Sequence, residues 1–276
     1  MNDRQDKREE AHLSEGEKED ASERQRLSAR TIYAIVRREG DEELQRPNSS
    51  LWWSGVTAGL VLSTSFIAQG ILHAELDGHP YQSLLAAFGY ALGFVLVILS
   101  RLQLFTENTI TAILPLLKKP GFGLLGQVLR LWSIVLLANL VGTAAVAILL
   151  VQARIVSPEH LAGMLEVASH FLERSSTECL LHGILGGLYI AAIVWMLPSA
   201  KGFEIFVILM FTSLMAIGGF THVITGSAEL FTLILEDRID PLRAVGSMLL
   251  PVLVGNIIGG SGLFAMLAYG QVREEL

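Results

Sequence analysis

The sequence predicts an all-α membrane protein of six transmembrane helices, arranged as two three-helix repeats of opposite orientation. Three observations carry that prediction. Apolar runs of about twenty residues recur six times, the length that crosses a hydrocarbon core. The second and fifth runs are interrupted by polar residues and glycines. Charge is concentrated ahead of the first run, where the first fifty residues hold ten Lys/Arg and thirteen Asp/Glu. The chain is 51% hydrophobic with a mean hydropathy of +0.50, an average that already includes this polar start. A soluble core would not need so many long apolar runs.

Two regions follow: residues 1–48, a charged tail ending in a short amphipathic helix, and residues 49–276, a six-span channel domain. Residues 1–26 are rich in Glu, Lys, Ser and Gln, offer almost nothing to bury, and are expected to be disordered. They lack the apolar stretch of a cleavable signal peptide. Over residues 27–44, Ile32, Ile35 and Val36 return among arginines and glutamates. That spacing predicts a short helix lying on the membrane face or on the bundle. Pro47 and Asn48-Ser49-Ser50 mark the boundary before the first span.

The spans are expected at residues 51–72, 81–117, 124–151, 178–197, 203–235 and 245–269. Trp52 and Trp53 anchor the first at an interface. The second is broken by Arg101, Gln103 and Thr106-Glu107-Asn108-Thr109. The fifth is broken between Gly218 and Ser227, with His222 in the interruption. Three spans, a polar connector and three more spans force the two halves into opposite orientations. Matching interruptions in two such halves point to a translocation site near the midplane. Asn108 and Ser227 are the expected N-caps of the half-helices after each break.

An even number of spans places both termini on one side. That side holds the tail's basic residues with Lys118, Lys119, Lys201 and Arg273; the other holds Arg154, Arg174, Arg238 and Arg243. The excess predicts cytoplasmic termini and residence in the inner (cytoplasmic) membrane. The net charge of -7 arises in large part in the mixed-charge tail, so it does not describe an acidic binding face. No nucleic-acid signature is visible. A single cysteine, Cys179, excludes an intrachain disulfide and a cysteine metal cluster. No metal or other cofactor is expected, and the expected partners are the bilayer and a small solute.

An ionisable residue at the depth of His222 is a functional candidate. A bare anion in an apolar constriction costs tens of kcal/mol by the Born argument, so neutralisation is the cheaper route. An imidazole has two nitrogens that donate or accept, and it can hydrogen-bond a carboxylate or nitrite and favour its protonation. Leu104, Phe105 and Phe220 would supply the dry rings around it. His182 lies one turn beyond Glu178, a spacing that permits a hydrogen bond between them.

Leu104-Phe105-Thr106, Gly219-Phe220-Thr221-His222 and residues 250–260 (Leu-Pro-Val-Leu-Val-Gly-Asn-Ile-Ile-Gly-Gly) together resemble the signature segments of the formate/nitrite transporter family. The resemblance spans residues 51–269. It implies an aquaporin-like protomer, a homopentamer with one pore per subunit, and passage of small monovalent anions, with a proton where the anion is neutralised. It further implies that His222 is the central pore histidine, that Leu104, Phe105 and Thr106 form the loop breaking span two, and that Asn256 is the polar residue of span six. Glu178 matches an acidic vestibule position, with His182 near it. Thr221 stands where such channels usually carry Glu, and Gly226 where they carry Asn. The lysine they place ahead of span four has no counterpart, Phe171 falling about there. Glu107, directly after Thr106, adds negative charge beside the path, with Arg101 placed to neutralise it.

The rival expectations come from other classes. A water or glycerol channel would need paired Asn-Pro-Ala tripeptides, and none occurs. An intramembrane serine protease would use Gly260-Ser261-Gly262, but no histidine base follows Ser261. A non-conducting receptor or scaffold on the same fold is the remaining alternative. The chain is not expected to be an enzyme.

Overall fold

In a computed structural model, which describes residues 26–276, every regular element is helical. Most of the tail expected to be disordered therefore lies outside the described residues. Helix α1 (Ala29–Leu44) begins at Ser28, whose hydroxyl accepts from the Thr31 N–H. Its buried residues Tyr33, Val36, Gly40 and Leu44 fall three or four apart and form one face. That face lies on the bundle rather than on a membrane surface. Arg130 ties the following turn down by donating to the carbonyls of Leu44 and Arg46 and to Asn48 Oδ1.

The six spans are α2 (Asn48–Glu75); α3 (Gln82–Leu99), continued after a break by α4 (Phe105–Thr111) and α5 (Ile113–Lys118); α6 (Phe122–Val151); α9 (Ser176–Met196); α10 (Glu204–Ile217) with α11 (Val223–Leu235); and α12 (Pro241–Glu275). Between α6 and α9, the short helices α7 (Pro158–Ala168) and α8 (His170–Glu173) cap one end of the bundle. Among the described residues, five helices are long and apolar enough to cross a membrane, and the fifth span is made of the two shorter apolar helices α10 and α11. The last span begins at Pro241, four residues before the expected start. There Asp240 accepts from the Leu242 and Arg243 N–H groups and supplies the cap.

Both breaks are built alike. Arg101 and Gly219, 118 residues apart, each take a left-handed backbone (φ 53° and 65°) after the first half-helix. The next N–H, of Leu102 or Phe220, reaches back to the carbonyl of Val97 or Met215 and closes the helix end. The chain then runs extended to Leu104 or His222, and the second half-helix starts at Phe105 or Val223.

The restart is therefore earlier than expected, and neither Asn108 nor Ser227 is its cap. Asn108 bonds Gln103 and Thr111, and Ser227 donates to the Ile224 carbonyl. His222 caps α11 with its own side chain, and the first N–H of each half-helix is met from another span. Asn139 Oδ1 on α6 accepts from the Phe105 N–H, while its Nδ2 donates to the Gln103 and Gly55 carbonyls. Asn256 Oδ1 on α12 accepts from the Val223 N–H, while its Nδ2 donates to the Thr221 and Gly183 carbonyls. In hydrocarbon these backbone groups must find partners inside the protein. Glycine is required behind each clamp: a Cβ at Gly59 or Gly187 would overlap the carbonyl of Asn139 or Asn256.

Candidate functional site

The two breaks meet at the centre, and His222 is the residue that joins them. As the N-cap of α11, it accepts from the Thr225 N–H through Nδ1 (3.3 Å). With Nδ1 used as an acceptor, Nε2 carries the proton and donates to Thr106 Oγ1 on α4 at 2.6 Å. Thr225 Oγ1 is also 3.3 Å from Nδ1 and 2.9 Å from the Tyr90 hydroxyl. Phe94 stands edge-on to the imidazole, ring centroids 5.0 Å apart. A chain of hydroxyls and one imidazole thus crosses the midplane inside an otherwise apolar shell.

This cluster separates two cavities that share no lining residue. One, of about 350 Å³, lies on the face carrying α1 and reaches inward to Leu104. The other, of about 320 Å³, lies under α7 and α8 and reaches Phe220, Thr221 and His222. His222 and Leu104 are each 1% exposed, so the path between the cavities is closed.

The first cavity is acidic: Glu39, Glu43, Glu107 and Glu204 line it against the single cation Arg101. Arg101 forms no ion pair with Glu107 among the described residues. It donates to Glu39 (3.4 Å) because its left-handed backbone turns it toward α1, and Glu107 Oε1 has no hydrogen-bond partner among the described residues. Glu39 outside the spans is held above the usual carboxylate range by its burial, which Arg101 opposes. The second cavity brings together His170, Phe171 and Arg174 from the connector, Tyr90 from α3, and Gly226 and Glu229 from α11. Burial pushes His170 down to about 4. Its ring keeps about a third of its surface (35%), and that surface faces the cavity.

Other expected site residues are placed differently. Asn256 is fully buried and committed to the break, so it lines neither cavity. Phe105 also lines neither, since its ring packs edge-on against Trp132. Glu178 is spent on a capping box with Ser175 at the start of α9, and no bond joins it to His182. His182 Nδ1 instead donates to the Gly219 carbonyl (2.9 Å), holding the break from span four. Thr221 lines the second cavity beside His222.

Three residues went unnoticed in the sequence. Asn139 carries no local signal, yet it lies 117 residues before Asn256 in the inverted repeat. Glu229 is seven residues after His222, two turns along the same helix face, and that spacing was a signal. His170 belongs to a connector whose docking onto the bundle no local pattern announces.

Comparison with known proteins agrees with this architecture. The family profile described as Formate/nitrite transporter matches residues 30–270. Inner membrane protein YfdC of Escherichia coli (strain K12) is 37% identical over 248 residues, covering 90% of this chain and 80% of that protein. Formate channel FocA of the same strain is 26% identical over 248 residues, covering 79% and 84%. Among solved structures, a pentameric formate channel with formate bound aligns with a TM-score of 0.72 at 18% identity, over 82% of this chain and 98% of that one. An FNT family ion channel aligns with a TM-score of 0.74 at 20% identity, over 88% and 98%. At those identities the likeness is one of fold, the aquaporin-like arrangement of two inverted halves.

Proposed function

The chain belongs to the formate/nitrite transporter family, and from that membership and the geometry around His222 we propose that it passes a small monovalent anion as its neutral acid. The observation that carries this reading is the His222–Thr106 bond, which links both breaks between two closed-off cavities. The energetics favour neutralisation. Protonating a carboxylate of pKa near 4 at neutral pH costs about 4 kcal/mol. Carrying it bare through an apolar constriction costs tens. The Nε2–H now given to Thr106 is the donor that a solute oxygen would take over in transit. Leu104 and Phe220 are the apolar groups on either side that exclude hydrated ions.

The acidic cavity on the α1 face accords with a neutral rather than an ionised passenger. We place that face in the cytoplasm, following the Lys/Arg excess, and the protein in the inner membrane, as the name of its relative YfdC states for that protein. A homopentamer with one path per subunit follows the assembly named for the structural neighbour.

The test is flux of radiolabelled formate and nitrite into liposomes holding the purified protein. Flux faster at acidic pH, lost or flattened in His222→Ala, is expected. Liposomes no leakier than empty ones to the whole panel would leave the fold as a receptor or scaffold.

A further inference from the structure

The second cavity contains two buried polar atoms that the protein leaves unpaired. Glu229, its side chain 6% exposed, has an Oε2 with no hydrogen-bond partner among the described residues. His170 Nδ1 is 3.7 Å from it, beyond hydrogen-bond range, and donates instead to the Val167 carbonyl at 2.8 Å. The Arg174 Nη1, also buried, has no acceptor among the described residues. Both side chains line the same cavity, and no ion pair joins them. Arg174 reaches in over the break because position 219 is glycine: a Cβ there would lie 2.6 Å from its Nη2. Its guanidinium thus lies beside the turn that carries His222.

An unpaired acceptor and an unpaired donor, both desolvated and facing one small space, are costly unless a third molecule bridges them. We propose that Arg174 and Glu229 form a two-point subsite for a small neutral solute carrying an acceptor oxygen beside a donor, O=X–OH or an amide. Arg174 donates to the O=X oxygen, and Glu229 accepts from the adjacent O–H or N–H. The ionised form of the same solute has no donor for Glu229 and brings like charge against it. The subsite therefore selects the protonated acid before it reaches His222, and it rests on the reading of this chain as a path for small weak acids.

Phe171 and Gly226 complete the selection. The ring lies where a Cβ at position 226 would meet it at 3.0 Å, so the wall one turn before Glu229 on α11 is apolar. The other titratable groups facing the cavity are His170, His73, His222 and Tyr90. With its pKa pushed down to about 4, His170 remains neutral through the range tested below.

Formamide is the probe, because it presents the donor beside the acceptor at every pH. Formate flux into liposomes is measured at about pH 5 and about pH 7.5, with and without formamide, for the wild type, Glu229→Gln and Arg174→Gln. Formamide should slow wild-type formate flux at both pH values. Glu229→Gln should raise flux at the higher pH by about tenfold and narrow the ratio between the two, since one like charge is gone from a confined space. Arg174→Gln should lower flux at both. An unchanged ratio in Glu229→Gln, or no competition by formamide, overturns the subsite while leaving the transport reading intact. The competition arm needs no variant, so a misfolded mutant does not spare the proposal. Wild-type liposomes that pass formate and formamide no faster than empty ones overturn the transport reading and this subsite with it.

Discussion

Asn139 and Asn256 perform the same task on the two halves of the molecule. Each gives its carbonyl oxygen to the first N–H of a restarted half-helix and its two amide hydrogens to carbonyls of the break and of a neighbouring span. Replacing either with Ala leaves one N–H and the break carbonyl of Gln103 or Thr221 unpaired, at about 1–3 kcal/mol for each buried group, while Gly55 and Gly183 keep their helical partners. Both variants should lower the thermal midpoint in detergent by similar amounts. Asn108→Ala, which removes only bonds to Gln103 and Thr111, should cost distinctly less. Equal losses for all three would restore Asn108 as a cap.

Thr106 is the partner that keeps Nε2 of His222 satisfied (2.6 Å). Thr106→Val keeps the shape and removes the hydroxyl, so the imidazole must find another acceptor. Formate flux in liposomes should fall about tenfold, the equivalent of one buried hydrogen bond. Thr106→Ser restores an oxygen and should recover most of that loss. A Val variant as active as the wild type would remove Thr106 from the path.

The six spans and their pairing into two broken triplets could be read from sequence because length and hydropathy are properties of a single segment. The exact restart of each half-helix could not. An N-cap search favours Asn108 and Ser227, side chains close in sequence, whereas the structure starts α11 at His222 and meets the first N–H of each half-helix with an amide more than thirty residues away on another span. Such a partner is visible only when the halves are aligned on each other, where Arg101 meets Gly219 and Leu104 meets His222. The Glu178–His182 spacing misled for the opposite reason. Both side chains had stronger partners, Ser175 and the Gly219 carbonyl, that helical spacing does not weigh.

His170 makes acid stability a local property of the second cavity. Its ordinary pKa of 6.5 is pushed down to about 4 by burial, and Arg174 and His182 nearby add to the lowering, while Glu229 faces it at 3.7 Å. Between those values the unfolded chain binds a proton that the folded one refuses. Stability held by the neutral ring is thus complete above about pH 6.5 and declines as pH falls towards 4. Thermal midpoints measured across that window should show a smaller slope for His170→Gln than for the wild type. An identical slope would assign the acid sensitivity elsewhere.

Gly40 sets how closely α1 lies against the bundle. A Cβ there would overlap the Thr111 carbonyl, with Pro115 next to it at 3.1 Å. Gly40→Leu therefore has no room and should lift α1 from α4 and α5, exposing Tyr33 and Val36. Limited trypsin digestion should then cut at Arg37 or Arg38 far faster than in the wild type. Protection equal to the wild type would mean that the tail helix is held by its polar ties, from Arg130 to Leu44, Arg101 to Glu39 and Gln103 to Glu43, rather than by the close approach at Gly40.

Phe171 and Gly226, expected from the sequence to fall about where the channels it resembles carry Lys and Asn, pack against each other. The ring uses the space a side chain at 226 would need, 3.0 Å from its Cβ position. Gly226→Asn alone forces the ring aside, and such overpacking typically costs about 1–3 kcal/mol. Phe171→Lys alone leaves an ammonium beside Arg174 with an empty hollow at Gly226. The double variant fills the hollow with an amide that can bind the ammonium, so it should recover at least half of the stability lost by the worse single change. It should also raise formate flux at neutral pH above the wild-type level, because the cavity then offers the ionised solute a second cation beside Arg174. If the double variant is less stable than either single one, the ring and the glycine are not a coupled pair.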